Sequence, residues 1–556
     1  MTGNLVFMLH SHLPYFRKVG SRLSGEEWLY EAMAESYIPL LDTLEELARR
    51  GLPLRLSLGF TPILLAQLAD AYVADRFDEY LAAKIRAAGY DVLKFGMDSR
   101  EDLLALAVRT KEWYERVRES FHNRHQRNLV ATLRRLQETG AVELTASAAT
   151  HAYLPLLVQE SAIRAQLAVG VEMYREAFSR RPLGFWLPEC AYRPGLDSHL
   201  ADLGICYFFV DTHTIEGGLP ADRSSAFAAR PARPPEPRSL EAPTGRTTFL
   251  AYRLANSGVV AFGRNSRVGL QVWSADHGYP GDGWYREFHK REIDSGHKYW
   301  RVTDRRSDLG VKALYNPAEA LARVREHAAH FTALVAGMLE DFERSTGWPG
   351  VVVACYDTEL FGHWWFEGVA WLREVLCRCA VHPSLRLTTP SAYLAAHPPL
   401  YEVELPESSW GLGGQHYVWF NPATEWLWPL LYEAQSRMEE LAELYPDATG
   451  DRRRVLNQAA REVLLLQASD WPFLITTGQA TDYARDRFQV HLARFRRLAD
   501  AVGPELYSPS FLAWLAELEE SDRLFPNLDY RIFRRPVKGG ATSECANSSW
   551  ATAVYS

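Results

Sequence analysis

The chain reads as an α/β protein, with a parallel sheet or barrel, a helical insertion and a helical C-terminal region. Three observations predict this. Short apolar runs alternate with segments of helical periodicity up to about residue 395, the signature of parallel β-α units. One long charged stretch, Asp70–Glu138, has helical character and no convincing strand. Beyond about residue 395 the alternation stops and amphipathic helical patterns take over.

In chain order, Leu5–Leu9 is the first strand candidate, followed by a helical pattern over Glu31–Arg50 and a second strand at Leu54–Leu58. After the helical insertion come Val142–Thr145, the helical segment Ile163–Ser179, and strands at Phe185–Leu187 and Cys206–Val210. Ala221–Thr247, rich in Pro, Arg, Ala and Ser, is a long loop, and loops of that length are functional or disordered. Val259–Phe262, Val351–Cys355 and Leu385–Thr388 complete the strands. Asn421–Leu444, Arg452–Ala468 and Ala480–Val502 read as helices, and Pro536–Ser556 as a loose tail. The expected division is a catalytic barrel at 1–69 and 140–395, a helical insertion at 70–139, a helical domain reaching the cleft at 396–535, and a disordered tail at 536–556.

At 556 residues the chain is too long for one simple core. Its net charge of −8 and the lack of a basic stripe argue against nucleic acid. There is no signal peptide and no apolar run long enough to span a bilayer, so a cytoplasmic protein free of membrane is expected, monomeric or weakly oligomeric. The six cysteines have neither zinc-ribbon nor C-x-x-C spacing and read as free thiols. Seventeen tryptophans and 26 tyrosines fit a large core or a glycan groove, and composition alone does not separate the two.

Chemistry concentrates at two strand ends. Gly184-Phe185-Trp186-Leu187-Pro188-Glu189 places a carboxylate after a short apolar run, with Tyr192 and Arg193 in position to orient it. Val351–Tyr356 runs into Asp357-Thr358-Glu359, ahead of Trp364-Trp365. α/β barrels carry their chemistry at such carboxyl ends. Two carboxyls about 5–5.5 Å apart serve a retaining glycosidase as nucleophile and acid/base. The plainer reading makes them ion-pair partners of nearby arginines. Glu359 and Glu367 compete with Asp357 for the second role, and spacing does not choose between them. An acid/base Asp357 must rest protonated, and burial together with the charge of Glu189 is expected to raise its pKa.

His10-Ser11-His12 closes the first strand, Asp211 and His213 another, and His151 follows a third. His10, His12, Asp211 and His213 together suggest a divalent-metal site; alternatively His10 and His151 hydrogen-bond sugar hydroxyls. Strand alternation puts His10 and His12 on one side under either reading. Trp410, in a glycine-rich loop, and Trp273, before another, are expected in a cleft. Asp470 either reaches that cleft or caps the following helix.

These segments resemble glycoside hydrolase family 57, and its branching-enzyme group in particular. The resemblance runs from residue 4 to about 535 through five stretches in order: Leu9–Tyr15, Gly140–Thr145 with His151, Trp186–Glu189, Tyr356–Trp365 and Ser469–Phe473. It implies an incomplete (β/α)7 barrel with a helical insertion and a helical C-terminal domain. It also implies a retaining double displacement on α-1,4-glucan that forms α-1,6 branches, with Glu189 as nucleophile and Asp357 as acid/base. Glucan contacts are implied for His10, Trp28, His151, Arg264, Trp273, Trp410, Trp419 and Asp470, with no metal and no cofactor. The family's hydrolases and 4-α-glucanotransferases are the nearest rivals. A metal-dependent hydrolase and a non-catalytic glucan binder are rivals of other classes. The branching group carries a tyrosine at the tip of a loop over the cleft, whereas the matching stretch, Ala221–Thr247, has no tyrosine and only Phe227 as an aromatic. Some branching with appreciable hydrolysis is therefore expected.

Overall fold

The structure is a computed structural model that describes residues 3–17, 25–217, 245–274, 277–503 and 507–535. The expectations for most of the Ala221–Thr247 loop, for Cys545 and for the tail fall outside these residues.

Among the described residues there are ten strands: β1 (Gly3–Ser11), β2 (Leu56–Phe60), β3 (Val142–Ser147), β4 (Gly184–Trp186), β5 (Tyr207–Val210), β6 (Ala251–Leu254), β7 (Val260–Gly263), β8 (Val351–Asp357), β9 (Leu385–Leu387) and β10 (Glu402–Val403). They run in the order β10-β6-β7-β5-β4-β3-β2-β1-β8, with β9 paired to β1. From β7 round to β8 every pairing is parallel, which gives seven parallel strands. The two ends of this curled sheet approach each other, since Asn265 donates its N–H to the Val353 carbonyl (2.9 Å) and Val351 donates to Phe249 (2.9 Å). This is the incomplete seven-stranded barrel expected from the resemblance.

Burial on both faces explains why most strand residues are apolar. In β1, Val6 and Met8 point into the lumen with Trp186, Phe209, Phe262, Val353 and Cys355. Leu5, Phe7 and Leu9 point outward under the helices. A parallel sheet covered on both faces needs apolar residues at both parities. His10 shares the inward parity at the carboxyl end of the lumen. The sequence predicts the strand at Val259–Phe262 but not β6, which pairs with it in an antiparallel hairpin. β6 has only four residues and carries Arg253, so it offers little strand signal.

The insertion between β2 and β3 consists of helices Ala71–Met97, Glu101–Glu119 and Leu129–Glu138. Asp70 and Asn128 start two of them, their side chains accepting from the amides of Tyr72 and Ala131. The C-terminal helices are Leu427–Leu444, Gly450–Leu466, Asp470–Thr477, Thr481–Ala501 and Pro509–Ser521. Asn421–Trp426, expected to be helical, forms turns instead, because Asn421 and Thr424 spend their side chains on local backbone groups. No helix among the described residues is long and apolar enough to cross a membrane. No disulfide joins the five described cysteines.

Candidate active site

Glu189 sits just past β4 in a short 3-10 turn, Pro188–Cys190, with φ +62°. Cys190 follows at +48° and His151, past β3, stands at +57°. Three non-glycine residues in the left-handed region, two of them adjacent, mark a place where surrounding contacts hold the backbone against its own preference. Those contacts come from the C-terminal half of the chain. Ser408 pairs with Tyr192 through two backbone hydrogen bonds (2.8 and 2.9 Å), and the Trp410 amide donates to the Glu189 carbonyl (3.0 Å). The Ser469 amide donates to the His151 carbonyl (3.1 Å).

This pairing fixes the Glu189 carboxylate at both oxygens. Ser469 Oγ donates to Oε1 (2.9 Å) and Trp410 Nε1 donates to Oε2 (2.7 Å). His151 Nδ1 lies 3.8 Å from Oε1. Tyr192 and Arg193, expected to orient Glu189, do neither: Tyr192 donates to Asp197 (2.9 Å) and Arg193 pairs with Glu160 (3.3 Å). Their side chains follow the extended backbone away from the left-handed turn. The sequence places Ser469 at the head of the Ser469–Phe473 stretch without giving it a role, because a serine carries no chemical signal until its neighbours are known.

Asp357 ends β8, directly opposite His10 in the β1 register. Among the described residues no group hydrogen-bonds its carboxyl, and the residue is only partly buried. The two competing acids are occupied. Glu359 is buried, accepting from the Tyr37 hydroxyl and from the His12 amide (3.2 Å). Glu367 accepts from the Tyr315 hydroxyl (2.5 Å) and the Arg286 amide (3.2 Å). Gly362, at φ +103°, carries the chain away from Asp357, and a Cβ there would lie 1.9 Å from the Glu35 carbonyl. Only glycine fits that turn.

Burial raises Glu189 to about 7, against the pull of Ser469 and Trp410, and the charges of Asp357 and Asp470 add to the rise. Burial raises Asp357 to about 6, while Arg264 and His12 oppose it. The rise of Asp357 is as expected, with burial as its largest cause. The repulsion between the two carboxyls raises Glu189. Glu359 is pushed to about 8 by burial and then by Asp357.

The histidines form one stack. His12 lies over His151 with centroids 3.8 Å apart, and His10 lies over Trp186 at 4.6 Å. His10 Nε2 and His151 Nε2 are 2.9 Å apart, and His151 Nδ1 meets Ser469 Oγ at 2.8 Å. His12 bridges Thr61 (3.0 Å) and Asp470 (3.0 and 3.1 Å). Asp470 thus reaches across to a barrel histidine, and its side chain does not cap its helix. Burial pushes the His10 and His151 pKa values well below the usual range.

The four residues that suggest a metal site in sequence do not converge. Asp211 pairs with His213 (3.1 Å) and Arg264 (3.2 Å), and His213 Nε2 donates to the Ser409 carbonyl (2.6 Å), apart from the His10–His12 stack. Of the residues implied to touch glucan, Trp410 is half-buried beside Glu189, with Arg264 over its ring at 5.6 Å. Trp273 is half-buried, edge-on to the exposed Trp364 at 5.8 Å. Trp28 is 39% exposed, edge-on to Phe16 and Tyr483. Three others sit behind the surface. His10, His151 and Trp419 are 2%, 3% and 1% exposed. Trp419 stacks on Tyr153 at 4.3 Å and underpins Gly411, next to Trp410. In this structure these three support their neighbours and present no open face.

Residues 6–406 match the family model described as glycosyl hydrolase family 57. Residues 430–533 match the one described as 1,4-alpha-glucan branching enzyme, C-terminal. Over 542 residues the chain is 42% identical to a 1,4-alpha-glucan branching enzyme of Thermococcus kodakarensis, covering 94% of this chain and 78% of that protein. Among solved structures, a GH57-type branching enzyme from Pyrococcus horikoshii superimposes with a TM-score of 0.87 at 41% identity, covering 98% of this chain and 99% of the other. An alpha-amylase from Thermotoga maritima superimposes with a TM-score of 0.83 at 30% identity, covering 97% and 100%.

Proposed function

The chain belongs to glycosyl hydrolase family 57, and we propose that it is a 1,4-α-glucan branching enzyme with Glu189 as nucleophile and Asp357 as acid/base. The observation that carries these roles is the contrast between the two carboxyls. Glu189 is held at both oxygens by donors, which suits a carboxylate that must attack along one line. Asp357 has no hydrogen bond among the described residues and is partly open at the end of β8, separated from β4 by β3, β2 and β1 in the sheet order, which suits a group that trades a proton with two different oxygens. The choice of branching over hydrolysis rests on the similarity to branching enzymes along nearly the whole chain and on the match of the C-terminal region.

The Glu189 oxygen attacks the anomeric carbon of an α-1,4-linked glucose. The bond to the neighbouring 4-oxygen breaks, and that oxygen takes the proton of Asp357. A 6-hydroxyl of an acceptor glucan then attacks the ester carbon, giving its proton to Asp357 and restoring the Glu189 carboxylate. Two inversions retain the α configuration. With Glu189 near 7 and Asp357 near 6, the pair holds about one proton between pH 6 and 7. A glycosidic oxygen bonded to Asp357 draws that proton to the productive side. Residues 1–69 and 140–395 form the catalytic unit, 70–139 an insertion, and 396–535 a helical unit that completes the site. The protein works in the cytoplasm as a monomer or weak oligomer.

Incubation with amylose followed by an α-1,6-specific hydrolase tests the reading. Newly freed chains, absent with Glu189→Gln, are expected. Reducing ends without debranchable chains would make the protein a hydrolase, the activity named for the similar amylase.

A further inference from the structure

The nucleophile has a partner from outside the barrel whose geometry is more specific than packing requires. We propose that Ser469 is a positioning residue for Glu189, ending a one-way hydrogen-bond relay from His10 through His151 that favours the ionised carboxylate and aims it. This rests on the reading of Glu189 as nucleophile.

The direction of the relay follows from counting protons. Two imidazole nitrogens 2.9 Å apart can share only one proton, so one of His10 Nε2 and His151 Nε2 carries hydrogen and the other is bare. His151 also meets Ser469 Oγ through Nδ1 (2.8 Å), and Ser469 has one hydrogen to place. Its other neighbour is Glu189 Oε1 at 2.9 Å. Two arrangements satisfy all three contacts. In the first, His10 donates to His151, His151 to Ser469, and Ser469 to an ionised Glu189. In the second every bond reverses, and Oε1 must carry a proton, because Oε2 already accepts from Trp410.

The far end of the relay decides between them. His10 Nδ1 is buried and has no partner among the described residues. In the first arrangement that nitrogen is a bare acceptor, and in the second it is an orphaned N–H. A buried donor without a partner is the rarer and costlier fault. The relay therefore favours the arrangement in which Ser469 donates to a carboxylate. Stacking holds the rings in line: His10 lies on Trp186 and His12 on His151. The next residue, Asp470, is tied to His12, so the turn at 469–470 is anchored to the barrel at two points. The titratable or charged groups around Glu189 include Asp357 from β8, Asp470 from the C-terminal region, His151 and Tyr153 after β3, its neighbour Cys190, and His10 and His12 at the end of β1. Asp357 and Asp470 push the proton on to Glu189, and Ser469 and Trp410 oppose them.

The test measures branching on amylose across pH for the full chain and for Ser469→Ala, Ser469→Thr and His10→Phe. The parent enzyme is expected to show a bell with limbs near 6 and 7. Ser469→Ala should lower kcat about ten- to a hundred-fold, leave KM within about twofold, and move the upper limb, which follows Glu189, up by about one pH unit. Ser469→Thr should recover most of the loss. His10→Phe, which keeps the stack on Trp186, should move the upper limb the same way by less, and it stands in if Ser469→Ala fails to fold. A lowered kcat with an unmoved upper limb would reduce Ser469 to packing and sink the relay. If Glu189→Gln retains branching in the same assay, the nucleophile reading itself falls. If Glu189→Gln is inactive and the limb stays put, only the relay falls.

Discussion

The ends of β4 and β8 carry one carboxyl each, and the two are built in opposite ways. At β4 a strained turn is gripped by two segments from far along the chain, and every oxygen of the Glu189 carboxylate and of its backbone has a donor. At β8 a regular strand simply stops, and its last carboxyl has no hydrogen-bond partner among the described residues, while both acids that follow are tied down. In a double displacement the nucleophile keeps one partner atom throughout, whereas the acid/base must serve a leaving oxygen and then an arriving one. Rigidity helps the first task and hinders the second. The fold supplies it from the C-terminal half to one strand end only.

The largest effect separates the two roles by leaving group. An α-glucosyl fluoride needs no proton to depart, so a variant lacking only the acid can still form the covalent intermediate. Asp357→Asn is expected to lose about 10²–10⁴-fold activity on amylose and yet to accumulate a glucosyl adduct on Glu189 from the fluoride. Glu189→Gln should lose about 10⁴-fold or more and form no adduct. Mass spectrometry of the digested protein reads both. An adduct on Asp357 would exchange the roles and overturn the comparison.

Much of the contrast is legible in the sequence, and the missing part has a definite physical origin. The uninterrupted run Val351–Tyr356 and the Pro188-Glu189 break announce two strand ends with acids, because a buried parallel strand leaves a strong local signal. The grip on Glu189 is not legible. It joins residues 221 and 280 positions apart, and no local pattern encodes which serine or tryptophan arrives there. Glu35 shows the same limit. In sequence it is one polar position in a helical pattern. In the structure it is buried in a π turn with Lys298, Arg286 and His363 around it, tying the segment after Trp273 to the loop behind Asp357. Trp419 fails in the other direction, since nothing in the loop Gln415–Phe420 distinguishes a cleft tryptophan from one stacked beneath it.

A smaller effect concerns what the grip costs. Glu189 is raised from 4.5 to about 7, so between those values the folded chain keeps a proton that the unfolded chain has released. Stability is therefore lost as pH rises from 4.5 through about 7, and below 4.5 the group is neutral in both states. Glu189→Gln keeps the shape and removes the charge. It should stabilise the protein above pH 7 by up to about 3 kcal/mol, since each tenfold change in proton affinity is worth about 1.4 kcal/mol, and leave it unchanged below pH 4.5. Thermal unfolding at about pH 8 and about pH 4 measures this. A lower Tm for the variant on the alkaline side would mean that the two donors outweigh burial, and that the β4 corner is a relaxed site.

The smallest expected effect isolates one donor of that grip. Trp410→Phe keeps an aromatic ring edge-on to Trp186, at 5.5 Å in the parent, and keeps the amide that bonds the Glu189 carbonyl. It removes only the Nε1–H that Oε2 accepts at 2.7 Å. A hydrogen bond to a charged group contributes about 1.5–3 kcal/mol, and Ser469 remains to hold the other oxygen. The expected loss is therefore at the low end, about tenfold in kcat, with KM nearly unchanged because the ring still lines the cleft. Trp410→Ala removes ring and donor together and should raise KM as well, so the ratio of the two variants separates aiming from glucan contact. If Trp410→Phe matches the parent, the grip on Glu189 reduces to Ser469 and the backbone. The difference between the two strand ends would then be one of burial more than of hydrogen bonding.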